Sequence, residues 1–161
     1  MAFPALSNLG TDPFFNTAFS QGAVPTNEFA FKLASTGSEL FLGGANTARF
    51  SGSIEFHSVS SSAGGFWQIS GASIHTGSAT PVTGFQTIID SGTTIMYGPP
   101  AAVKKFYASV TGAKLFDSTN GFYSFPCSSV PSVSFSWGGK NWAITAAKYV
   151  AIFYIFIHQH S

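Results

Sequence analysis

The stretch Thr87-Ile88-Ile89-Asp90-Ser91-Gly92-Thr93-Thr94-Ile95 holds residue types that could do carboxylate chemistry. An apolar run, read as a buried strand, delivers Asp90 to its end. Small hydroxyl residues and a glycine then turn the chain, so that backbone N–H and hydroxyl groups can surround the carboxylate. A carboxylate that accepts such hydrogen bonds stays ionised at low pH. On its own Asp-Ser-Gly is a weak signal, because all three are ordinary turn residues. Asp12 precedes Pro13 and Asp117 precedes Ser118-Thr119; they read as a helix cap and a turn residue.

Other chemistry has less support. Ser, His and Asp are all present, but no Gly-x-Ser-x-Gly elbow occurs, so a serine hydrolase is disfavoured. His57 and His75 read as strand-surface residues. His158 and His160 are too few for a metal centre, and no cofactor is expected. Lys104-Lys105 reads as the solvated face of a helix.

The elements that must position Asp90 are mostly strands. Expected strands are Glu28 to Ala34 and Glu39 to Leu42, joined by Ser35-Thr36-Gly37-Ser38, then Ser53 to Val59 and the start at Phe66-Trp67-Gln68-Ile69. Thr87-Ile88-Ile89, Phe122 to Phe125 and Val133 to Trp137 complete the set. Two helices are expected. One is capped by Asp12 and runs from Phe14 to Gln21, with Phe15 and Phe19 on one face. The other opens at Pro99-Pro100 and runs to Val110 with Val103, Phe106, Tyr107 and Val110 on one face; Gly112 closes it.

Set in order along the chain, these segments resemble the pepsin-like aspartic endopeptidases, with the fungal branch nearest. Asp90-Ser91-Gly92-Thr93-Thr94 resembles the second active-site motif of that family. Ala2-Phe3-Pro4, Pro13-Phe14-Phe15, Leu40-Phe41-Leu42-Gly43-Gly44, Phe66-Trp67-Gln68-Ile69, Tyr97-Gly98-Pro99 and Val133-Ser134-Phe135 match family segments in the same order, from Met1 to about Thr145. The resemblance implies a mainly β, pepsin-like acid protease fold that is incomplete. Residues 1–50 would be the end of the N-terminal lobe and interlobe sheet strands, 51–148 a truncated C-terminal lobe, and 149–161 an apolar tail outside the family.

Carried over by position, the resemblance makes Asp90 a catalytic aspartate, with Ser91, Gly92 and Thr93 supporting its loop. Ile88, Gly92 and Thr94 would contact a polypeptide substrate. Cys127, the chain's single cysteine, would be half of a disulfide whose partner lies elsewhere. The family reaction places a water between two aspartates. This sequence holds no second Asp-Ser/Thr-Gly, so the expected partner is an N-terminal lobe carrying the first aspartate. The alternative is a catalytically inactive peptide-binding or non-functional fragment.

Composition narrows the field. Net charge is +1 and charged residues are 8% of the chain, so nucleic acid is not an expected partner. The apolar run Tyr149 to Ile157 is shorter than the roughly 20 residues of a membrane helix. It reads as an aggregation-prone segment that does not dock as a native strand. No signal peptide is seen at Met1, and the family resemblance implies an extracellular protein.

Overall fold

The computed structural model describes residues 3–62, 64–93 and 96–144. The chain divides into two compact units, each described by itself. The first comprises residues up to Phe56 together with Ser61–Phe66; the second comprises His57–Ser60 and residues from Trp67 onward.

In the first unit, helix α1 spans Phe14–Ser20 and strands β1, Phe29–Lys32, and β2, Glu39–Leu42, form an antiparallel pair. Register pairs Phe29 with Leu42 and Phe31 with Leu40, so four large apolar side chains share one face. Phe15, the buried residue of α1, meets Phe29 edge to face at 4.9 Å. Pro13, not Asp12, stands at the cap position, and no side chain caps the helix. Proline takes that place because its extended backbone, with φ −59° and ψ 152°, leads straight into the first turn.

The second unit carries a four-stranded antiparallel sheet ordered β4-β3-β7-β8, with β3 at Gln68–Thr76, β4 at Ala79–Ile88, β7 at Val133–Ser136 and β8 at Trp142–Ile144. A smaller hairpin joins β5, Lys114–Asp117, to β6, Phe122–Ser124. Helix α2, Pro100–Ala108, starts with Pro99 at the cap and Pro100 in its first turn, where a missing N–H costs nothing. Its apolar stripe is as expected. Val103, Phe106 and Tyr107, with Val110 just beyond, are buried together with Val133. Ile74, Val82, Phe135 and Ile144 of the sheet pack against this cluster. Lys104 and Lys105 are exposed.

The mainly β expectation holds, and most expected strands form. The run Ser53 to Val59 does not: residues 53–60 adopt no regular element. Its alternation of apolar side chains gives a possible face but no regular element, and Phe56 is 83% exposed. That segment straddles the boundary between the two units. β5 and β8 were not anticipated, since both are short and largely exposed. The hairpin of β3 and β4 is also longer than the short apolar runs suggested. The segment Tyr149 to Ile157 lies outside the described residues. Among the described residues, no helix is long and apolar enough to cross a membrane.

Candidate active site

Asp90 stands two residues past the end of β4 and is exposed. The strand reaches it through a defined ladder. Gln68 pairs with Ile88, and the Ile89 N–H donates to the Trp67 carbonyl at 2.9 Å. The chain then turns at Ser91-Gly92 and folds back on the carboxylate. The Gly92 N–H donates to Asp90 Oδ1 at 2.8 Å, and the Thr93 hydroxyl donates to Asp90 Oδ2. Both carboxylate oxygens are thus engaged by groups two and three residues on.

These bonds set the charge. The Thr93 hydroxyl first, and the Gly92 N–H second, hold the Asp90 carboxyl below its ordinary range; partial desolvation opposes them weakly. Hydrogen bonds to the charged form favour that form. Gly92 also has a steric reason to be glycine. A Cβ there would sit 3.3 Å from Asp90 Oδ1, tighter than ordinary contact.

Asp117 offers a comparison. Its Oδ1 accepts from the Thr119 N–H at 2.9 Å and the Asn120 N–H at 3.1 Å, and its Oδ2 from Asn120 Nδ2 at 2.8 Å. It closes the β5–β6 turn, the turn role expected of it, and its carboxyl is likewise held low, by Asn120 foremost. A satisfied low-pKa carboxylate is therefore not distinctive by itself. What separates Asp90 is its place just past the end of β4, in the turn Asp90-Ser91-Gly92-Thr93.

Of the other residues singled out by sequence, Ser91 and Gly92 form the turn itself. Ile88 ends β4 and is 50% exposed, as is Ile89. The run before Asp90 is therefore a half-exposed strand end, not the buried strand expected, because β4 is the outermost strand of its sheet. Thr94 lies outside the described residues. Cys127 is free and exposed in a short 3-10 turn, Cys127–Ser129, so its thiol is open to a partner from outside this segment. His75 lies on β3 with Nδ1 2.9 Å from Thr80 Oγ1. His57 lies outside any strand, its ring 6.0 Å from that of Trp137.

One feature of the site was not anticipated. Trp137, just after β7, donates its indole N–H to Thr87 Oγ1 at 2.8 Å, and that hydroxyl donates to the Ile69 carbonyl at 3.4 Å. The only sequence hint is a lone threonine in an otherwise apolar run three residues before Asp90.

Residues 1–154 match the family model for eukaryotic aspartyl protease. The chain belongs to the eukaryotic aspartyl protease family. It is 36% identical over 156 residues to an aspartic protease of Phaffia rhodozyma, covering 92% of this chain and 38% of that protein. It is 33% identical over 159 residues to cathepsin D of Bos taurus, covering 92% of this chain and 40% of that protein. An aspartic protease of Leptosphaeria maculans is 36% identical over 143 residues, or 86% of this chain and 34% of its own length. The chain thus spans about two fifths or less of the length of these aspartyl proteases. The family match runs on into the apolar segment that begins at Tyr149.

Proposed function

We propose that this chain supplies one of the two aspartates of an aspartic-type endopeptidase, and that Asp90 is that residue. The observation that carries the reading is the carboxylate of Asp90, gripped by Gly92 N–H and Thr93 hydroxyl at the end of β4. In peptide hydrolysis by this route, one carboxylate takes a proton from a water lying between two aspartates. The other, protonated, polarises the scissile carbonyl. Two adjacent carboxyls share one proton because both cannot ionise easily at short range, and they titrate as a pair. A carboxylate already held low suits the ionised role.

The remaining assignments follow from this reading. Ser91, Gly92 and Thr93 shape the loop. Ile88, Gly92 and Thr94 face a polypeptide substrate. Cys127 forms a disulfide with a cysteine outside this segment. Residues 1–50 belong to the end of the first lobe and the interlobe strands, and 51–148 to the second lobe. The missing aspartate comes from an N-terminal lobe, and the complete enzyme works outside the cell. With one such carboxylate, the chain alone is inactive as an endopeptidase.

Two assays test this. The purified chain should fail to cleave denatured globin at acidic pH; cleavage that pepstatin blocks would overturn the claim that a second lobe is required. In the longer reading frame, an upstream Asp-Thr/Ser-Gly should be present, and the whole product should cleave. There Asp90→Asn should abolish turnover; undiminished cleavage would remove Asp90 from the chemistry.

A further inference from the structure

We propose that Trp137 is a positioning residue for Asp90, acting through Thr87 as a lock on the register of the β4 end. The inference rests on the reading of Asp90 as the reacting carboxylate. Its structural basis is independent of that reading.

The end of β4 keeps the register of the rest of the hairpin only because two interruptions offset each other, so no continuous pairing carries that register to it. Between the part of β3–β4 that packs on α2 and the part that carries Asp90, the ladder is broken twice. Ile69 pairs with Thr87 but Ala72 with Phe85, which leaves one extra residue on β3; Ala72 pairs with Phe85 but Ser73 with Thr83, which leaves one extra on β4. Gly71 and Gly84 sit at these two places with φ of +78° and +73°. Each is a glycine bulge, which bends the strand and interrupts pairing. Two facing bulges uncouple the end from the body. A slip of one residue beyond them would turn every side chain of the end to the opposite face, Asp90 included.

Trp137 supplies the missing constraint. It follows β7, which pairs with β3 on the side away from β4. Its indole therefore reaches across β3 to the Thr87 hydroxyl, which in turn touches the Ile69 carbonyl of the intervening strand. Three strands are tied at one level, beyond both bulges and three residues before Asp90. The ring itself is held. Phe135 lies nearly parallel at 6.4 Å between centroids, and the His57 ring lies at 6.0 Å. Only one register brings Thr87 Oγ1 to the indole N–H.

Hydrogen exchange on the full chain tests this without any need for activity. Trp137→Phe keeps an aromatic ring and removes the donor; Thr87→Val keeps the shape and removes the acceptor. Each should speed exchange at the Ile89 amide by about tenfold, the scale of one lost hydrogen bond. Amides of Ile74 and Phe135, paired in the β3–β7 ladder, should change far less. The double variant should behave like either single one, since both remove the same bond. Thr87→Ser should restore protection. In both single variants the Asp90 carboxyl resonance should shift while that of Asp117 stays put. Unchanged Ile89 exchange in two folded variants, or equal loss at Ile74 and Phe135, would reduce Trp137 to a packing residue. These readouts report the lock whether or not Asp90 takes part in proteolysis; Asp90→Asn in the whole enzyme reports the other claim.

Discussion

The backbone N–H of Gly92 points back at Asp90 and donates to Oδ1 at 2.8 Å, so the carboxylate is held by its own turn. With the Thr93 hydroxyl on Oδ2, the charged form is favoured by two short-range donors. Thr93→Val removes the larger influence, so the Asp90 titration midpoint should rise toward an ordinary aspartate. The sign for stability follows from linkage. A carboxyl whose folded pKa is depressed stabilises the fold above its unfolded pKa, and that stabilisation fades as pH falls through the folded value. The ionisation-dependent gap between parent and Thr93→Val should therefore be present at neutral pH and close in strong acid. Carboxyl-detected NMR titration and denaturant midpoints across pH measure both.

A second clamp gives a parallel expectation in the first unit. Glu39 accepts from Arg49 Nε at 3.0 Å and Asn46 Nδ2 at 2.9 Å, and its carboxyl is held below the ordinary range by Arg49 foremost, then Asn46. Arg49→Ala should raise the Glu39 midpoint only part of the way, since Asn46 remains. The shift caused by Arg49 should shrink in high salt, because the pair is open to solvent. An Arg49→Ala chain with an unmoved Glu39 titration would contradict this.

Much of this organisation is readable along the chain, and the reasons it stops being readable are local. α2 was legible because Pro99-Pro100 and the spacing of Val103, Phe106, Tyr107 and Val110 state the same helix twice. The Asp90 turn was legible because its donors lie two and three residues away. The Trp137–Thr87 bond was not, since it joins residues 50 apart and no periodicity encodes such a meeting. Ser53 to Val59 misled for a different reason: alternation reports a possible face, and residues 53–60 nonetheless adopt no regular element.

Two glycines with similar backbone angles should respond differently to alanine. Gly112 has φ +73°, and a Cβ there would lie 2.9 Å from Pro126 Cγ; Gly77 has φ +56° with nothing within 4 Å. Both substitutions put an L side chain at a positive φ that such residues rarely adopt, so both are strained. Only Gly112→Ala adds a clash with a rigid ring. Thermal or urea unfolding should rank Gly112→Ala as the more damaging; equal losses would mean that the Pro126 segment yields freely.

The α2 contact should dominate the stability of the second unit. Phe106 is buried between the helix and the sheet, so Phe106→Ala should cost about 3–5 kcal/mol. Lys104→Ala, two positions earlier on the exposed face, should stay within about 0.5 kcal/mol. Urea midpoints compared at constant slope separate the two.

The Trp137–Thr87 bond also bears on the order in which the molecule comes together. The β3–β4 hairpin closes through a turn of two residues, Gly77-Ser78, with Gly77 at the positive φ that a tight type II′ turn asks of its first central residue. Joining Trp137 to Thr87 instead closes a loop of 50 residues. Closure entropy grows with that separation, and distant pairings form late. The β3–β4 hairpin is therefore expected to close first, and the segment presenting Asp90 to be locked only when β7, whose pairs with β3 span still longer separations, docks beside it. A folding chain would pass through a stage in which α2 and the hairpin are already native while the acid is not yet aimed.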